Sequence, residues 1–173
     1  MAKQSLLILG AGQFGTVVKE IAESVGEFDR IAFLDDRFGR PGAERQLPEN
    51  TVGKLADIEA YTGKYTHAIV SIGNPEVRGQ WTKKLLEAGY KVPVLISPRA
   101  YVSQSAILLA GAVIAPMAVI NPCAKVGEGS FVMAGSVVDH NSTVGDYCNI
   151  HCGRVIVSNT NVSEFTVMRS IKD

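Results

Sequence analysis

The sequence predicts an α/β unit built on a parallel sheet, followed by an all-β solenoid. Three observations predict it. Up to residue 96, short apolar runs alternate with amphipathic segments; beyond it, an aliphatic residue recurs every six positions; and a glycine-rich turn follows the first apolar run. The expected organisation is 1–96 for the α/β unit, 97–162 for the solenoid and 163–173 for a short tail. The 173 residues suit one or two domains, since domains commonly hold roughly 100–200.

Leu6–Leu9 reads as a buried strand, and Gly10-Ala11-Gly12-Gln13-Phe14-Gly15 as the turn after it. A helix then carries Phe14, Val17, Val18, Ile21, Ala22 and Val25 on one face, with Gly26 at its end. Ile31–Leu34 is a second strand running into Asp35-Asp36, and 37–54 reads as a loop before a short helix at Lys54–Tyr61. His67–Ile72 is another strand, Pro75 opens a helix to about Ala88, and Val92–Ile96 is a last strand. Strand–helix alternation with short connections implies parallel strands and right-handed crossovers.

From Val102 the aliphatic column runs through Leu108, Ile114, Ile120, Val126 and Val132, and on by sixes to Val162. Two residues before each member stands a small residue such as Ala106, Ala124 or Ser136, with Arg154 the exception. Neither a period of 2 nor one of 3.6 generates this pattern, which is a hexapeptide repeat. Each hexad supplies one inward aliphatic and one short strand. Gly, Asn, Asp or His after the aliphatic, as at Asn121, Gly127 and Asp139, marks the expected turns.

Composition excludes several classes. A hydrophobic share of 46% rules out disorder. Seventeen basic and seventeen acidic residues give a net charge of zero, which removes the general electrostatic case for nucleic acid. No apolar stretch approaches the roughly 20 residues of a membrane span, so no membrane insertion is expected. Leu6–Leu9 is also shorter than the 7–15 residues, roughly, of a signal-peptide core. Three cysteines, an odd number, fit a reduced, cytoplasmic protein.

Gly10-x-Gly12-x-x-Gly15, between a strand and a helix, with Asp35 twenty residues on, matches the dinucleotide fingerprint. A ligand-free tight turn and an NAD site are its alternatives. The α/β unit is only about half of a two-part dinucleotide fold, which favours a nucleoside diphosphate attached to another group. His140 falls at a solenoid corner, where packing does not call for an imidazole. Cys148 lies in the inward small-residue column, whereas His151 and Cys152 sit at a corner; no pair has structural zinc spacing.

With these features, the chain resembles the sialic acid O-acetyltransferase and bacillosamine-type nucleotide-sugar N-acetyltransferase family of hexapeptide-repeat acyltransferases. The resemblance rests on the glycine turn, Leu34-Asp35-Asp36, Ile72-Gly73-Asn74 and the stretch from Val119 through His140 to Gly145-Asp146. It implies a Rossmann-like nucleotide-sugar-binding unit, a left-handed parallel β-helix and a homotrimer. It also implies acetyl transfer from acetyl-CoA to an amino or hydroxyl group of a UDP-linked amino-sugar, without a metal. His140 matches the general base, with Asn141 where relatives carry an acid. Gly12, Gln13, Phe14, Asp35, Asp36, Gly73 and Glu76 match the nucleotide-sugar pocket, and Asn149 the position that meets acetyl-CoA. Backbone N–H groups after His140 are expected to hold the oxyanion. A catalytically inactive nucleotide-sugar-binding relative and a zinc hydratase of the γ-carbonic-anhydrase type are the alternatives.

Overall fold

The computed structural model describes residues 4–169, the Glu44 side chain excepted. An α/β region with a parallel sheet comes first and a stack of parallel two-residue strands follows. In the first region β1 (Gln4–Leu9), α1 (Gln13–Val25), β2 (Phe28–Leu34), β3 (Thr51–Gly53), β4 (His67–Val70) and α2 (Pro75–Glu87) follow one another. The sheet order is β3-β2-β1-β4, with every pairing parallel. β1 is central, and so reads as an unbroken apolar run.

Each face of this sheet has its own cover. Leu6, Ile8, Phe33 and Ile69 pack with Val18, Ile21 and Ala22 of α1, while Leu7, Leu9, Leu34 and Val70 pack with Leu55, Ile58 and Leu85. Gly10 turns the chain out of β1 at φ 102°. A Cβ on Gly15 would stand 2.2 Å from the Gly10 carbonyl oxygen, so the turn closes only on a bare backbone. Asn74 caps α2 by accepting from the Val77 N–H at 3.0 Å, with Pro75 at its first position.

Thirteen strands form three faces. The first carries β5 (Leu95–Ile96), β8 (Val113–Ile114), β11 (Phe131–Val132), β14 (Asn149–Ile150) and β17 (Val167–Met168). The second carries β6 (Tyr101–Val102), β9 (Val119–Ile120), β12 (Val137–Val138) and β15 (Val155–Ile156). The third carries β7 (Ile107–Leu108), β10 (Lys125–Val126), β13 (Thr143–Val144) and β16 (Asn161–Val162). Pairing joins residues eighteen apart, as in Lys125 with Thr143, so three hexads make one coil. The second residue of each strand points inward: Ile114, Ile120, Val126, Val132, Val138, Val144 and Ile150 are fully buried, beside Ala118, Ala124 and Cys148.

Several sequence expectations are revised. Leu95–Ile96 pairs with β8 rather than closing the N-terminal sheet, because Ile96 lies six residues before Val102 and is already in phase with the coil. The repeat also continues past Val162. Val167–Met168 pairs with β14, so part of the expected 163–173 tail is a further rung, with Met168 in the inward column. Residues 170–173, like 1–3, lie outside those described. The short helix expected at Lys54–Tyr61 is a 3₁₀ segment over Leu55–Tyr61, whereas β3 interrupts the expected 37–54 loop by pairing with β2.

The left-handed corner residue falls three positions after the aliphatic, not one, as Cys123, Asn141, Tyr147 and Asn159 show. The residue one position after instead bonds the stack together: Asp139 accepts from Asn121 Nδ2 of the preceding coil at 2.7 Å.

The α/β region seats on the first face of the coil. Leu95, Val113, Ala115, Phe131 and Met133 share one apolar cluster with α1 and the sheet. Gly15→Ala is expected to cost at least about 2 kcal/mol, the range of overpacked cores. Gly12→Ala, whose Cβ meets nothing within 4 Å, is expected to stay within about 1 kcal/mol. Urea denaturation of both variants checks this pair.

Candidate functional site

The carboxyl ends of β1, β2 and β4 meet the start of α1 around a cavity of about 320 Å³. Open parallel sheets bind ligands at this end of their strands. Gly10, Gly12, Gln13, Phe14, Asp35 and Gly73 line it, with Arg37, Ser71 and Ile72. The Ser71 hydroxyl donates to the Gly10 carbonyl at 2.6 Å and so ties β4 to the glycine turn. A Cβ on Gly73 would stand 3.2 Å from the Phe14 ring, so that ring owes its seat to the glycine.

Asp35 is buried and accepts the Ala11 N–H at 2.9 Å. Arg37 clamps it from the side: Nε donates to Oδ1 at 2.8 Å and Nη2 to Oδ2 at 2.9 Å. These bonds, with the Arg37 hydrogen bond the largest cause, hold the Asp35 carboxyl down at about 2 against an ordinary 3.8. Asp36 is exposed and turns elsewhere, accepting the Leu55 N–H at 3.2 Å. Glu76 sits exposed in the first turn of α2 and does not line the cavity.

Phe14 forms the junction with the coil. Its ring lies 5.5 Å from that of Phe131 and meets His151 edge-on at 6.1 Å. Behind it lies Arg78, fully buried on α2. Its guanidinium donates to the carbonyls of Ile72 at 2.7 Å, Gly129 at 2.8 Å and Tyr147 at 2.7 Å, and to Asn149 Oδ1 at 2.7 Å. It also lies 4.4 Å above the Phe131 ring. Burial pushes it down to about 10, still charged at neutral pH. Asn149 returns the contact through Nδ2, which donates to the Gly73 carbonyl at 2.7 Å. Being buried, with both ends of its amide engaged, Asn149 braces the two regions and offers no surface to acetyl-CoA.

His140 stands exposed at the corner between the second and third faces, whereas His151 stands between the first and second. The His140 backbone N–H donates to Asp139 Oδ1 at 2.8 Å, and Asn141 Nδ2 lies 3.2 Å from the His140 ring Nδ1. The next N–H groups are already used: Asn141 donates to Pro122, Ser142 to Asp139 and Thr143 to Thr160. They are therefore not free to hold an oxyanion, contrary to the sequence expectation. Among the described residues no group of three or more His, Cys, Asp or Glu gathers to hold a metal ion. No described helix is long and apolar enough to cross a membrane.

Comparison with known proteins settles the family. Residues 5–85 match the model of the PglD N-terminal domain. The acetyltransferase domain of PglB from Neisseria gonorrhoeae is 31% identical, over 96% of this chain and 80% of that one, at a TM-score of 0.86. The chain belongs to the bacillosamine-type nucleotide-sugar acetyltransferase family. It is accordingly an acyltransferase. The same PglB domain in complex with acetyl coenzyme A matches at 28% identity, over 96% of this chain and 88% of that one, with a TM-score of 0.81. PerB from Caulobacter crescentus, in complex with CoA and GDP-perosamine, shares the fold at 22% identity over 93% and 92% of the two chains, with a TM-score of 0.59.

Of the residues the sequence singled out in this acyltransferase, Gly12, Gln13, Phe14, Asp35 and Gly73 meet at the cavity. Asp36, Glu76, Asn149, His140 and Asn141 do not. Sequence reasoning missed Arg37 and Arg78. For Arg78 the available signal was its helical spacing with Thr82 and Leu85, which share the buried face of α2.

Asp35 adds stability that is fully present above pH 3.8 and lost as pH falls through about 2. Asp35→Asn is therefore expected to lower stability at neutral pH and to flatten the loss between those two values. Thermal melts across that range check it.

Proposed function

We propose that this protein transfers the acetyl group of acetyl-CoA to the amino group of a nucleotide-linked sugar, most simply a UDP-linked 4-amino-sugar. The observation that carries this reading is the cavity at the strand ends, on a chain that over 96% of its residues is similar to an acetyltransferase domain in complex with acetyl coenzyme A. PerB, in complex with CoA and GDP-perosamine, adds that a protein of the same fold takes both CoA and a nucleotide amino-sugar. In this reading the α/β unit that ends before β5 is Rossmann-like and holds the nucleotide sugar, and the coil is a left-handed β-helix. The reaction is cytoplasmic.

His140 is the general base. Its Nε2 takes a proton as the sugar amine attacks the thioester carbonyl; the tetrahedral adduct then expels the CoA thiolate, leaving the amide. No acyl-enzyme forms. For Nε2 to act, Nδ1 must carry the ring proton; Asn141 now presents Nδ2 to Nδ1 at 3.2 Å, and a half-turn of its amide puts the oxygen there to accept that proton. Asp139 fixes the backbone under the imidazole.

The cavity is lined by the α/β region alone and His140 stands on a corner of the coil, which supports a homotrimer in which one copy's His140 serves its neighbour's nucleotide-sugar pocket. Exposed apolar groups on the second face and the corners flanking it favour such burial: Tyr101 is 57%, Val155 56%, Met117 73% and Val157 63% exposed.

The test is acetyl transfer from acetyl-CoA to UDP-linked 4-amino-sugars, followed by thiol release and product mass. His140→Ala is expected to lower kcat by roughly 10²–10⁴ while leaving acetyl-CoA binding in place. Wild-type turnover in that variant would remove His140 from the mechanism. A product labile to mild base would mean O- rather than N-acetylation.

A further inference from the structure

Fingerprints of the glycine-turn type use the acid after the second strand as an acceptor for a ribose hydroxyl. Here that acid has nothing left to accept with. An ionised carboxylate offers about four lone-pair sites. Asp35 Oδ2 takes the Ala11 N–H and Arg37 Nη2, both at 2.9 Å; Oδ1 takes the Arg37 N–H at 3.0 Å and Nε at 2.8 Å. A hydroxyl or base N–H entering the cavity meets a filled carboxylate. Asp36 is not an alternative, since it turns to the Leu55 N–H and lies off the cavity wall.

Arg37 is in the opposite state. A guanidinium carries five N–H donors in a fixed fork. Asp35 occupies two, one on Nε and one on Nη2. The other three have no partner among the described residues, and Arg37 is part of the cavity wall with Gly12, Gln13 and Phe14. The carboxylate that holds the fork also holds Ala11, one residue before the cap of α1. The guanidinium is therefore fixed at the glycine turn, not swinging from a loop. The first turn of α1 contains no acidic residue to oppose an incoming acceptor.

We propose that Arg37 is the side chain that reads the nucleotide, donating to an oxygen acceptor of the ligand, and that Asp35 is a positioning residue that aims it. The proposal rests on the nucleotide-sugar reading above and specifies how that site selects. The acceptor chemistry is shared by a nucleobase carbonyl and a phosphate oxygen, and the experiment separates the two.

The experiment is isothermal titration of wild-type protein, Arg37→Met and Arg37→Lys with uridine, UMP and UDP, and with guanosine, GMP and GDP. Thermal melts in parallel confirm that each variant is folded. Arg37→Met is expected to weaken the preferred series at least about tenfold, the size of a lost hydrogen bond to a charged group. Arg37→Lys, which keeps the charge without the fork, should recover part of that loss. A loss already present with the nucleoside assigns the contact to a base carbonyl; a loss that begins with the monophosphate assigns it to phosphate.

Asp35→Asn should weaken binding in the wild-type background and add less than about twofold in the Arg37→Met background, as residues acting through one contact do. Full additivity would mean that Asp35 touches the ligand itself, and would overturn its positioning role. A folded Arg37→Met variant that binds every ligand as the wild type does would overturn the proposal alone. Wild-type protein that binds none of the six would instead overturn the nucleotide-sugar reading beneath it.

Discussion

One buried cation joins the two halves of this molecule. Arg78 has no carboxylate partner among the described residues; its charge is dispersed over backbone carbonyls, one side-chain amide and an aromatic face. Those carbonyls come from the loop after β4 and from two successive turns of the coil. Each is a group that folding has taken from water, and without the guanidinium each would stay buried without that donor, at about 1–3 kcal/mol apiece. A neutral side chain of the same length could fill the space but would not bind these edges together. The placement of the cavity relative to the coil thus depends on a charge that the fold must desolvate, as its lowered pKa records.

The glycine turn and the Phe14 ring extend that junction outward. Gly73 leaves room for Phe14, Phe14 contacts Phe131 and His151, and Asn149 links the Gly73 carbonyl back to Arg78. A ligand at the strand ends therefore touches residues continuous with the coil. The exposed His140 corner is held differently, by Asp139 and by the ladder of the stacked coils. Binding and proton transfer are thus carried by two rigid supports within one chain, and assembly of copies is the step that brings them together in the proposed mechanism.

How much of this was legible follows from what each signal depends on. The hexad column was readable because its period matches no helix or strand, yet both ends were misjudged: Ile96 sat within a longer apolar run, and Met168 is not a branched aliphatic. The glycine turn was readable because Gly15 packs against backbone, a demand no other residue meets. Asp35 was rightly placed at the cavity, but its availability depends on Arg37, whose clamp is a matter of geometry. Arg78 was hidden because an arginine on a helix reads as surface, and only the approach of the coil makes that face interior. Asn149 was misjudged for the same reason: its strand position points outward, and the α/β region covers it.

The central claim is that Arg78 fixes the nucleotide-binding region to the coil, and hydrogen exchange of Arg78→Met tests it most directly. The account predicts at least about tenfold faster exchange in residues 70–80 and in the coil turns 127–131 and 145–149 that Arg78 holds, with protection retained in β9, β10, β12 and β13, the inner strands of the second and third faces. Wild-type protection in residues 70–80 and in both turns would contradict it.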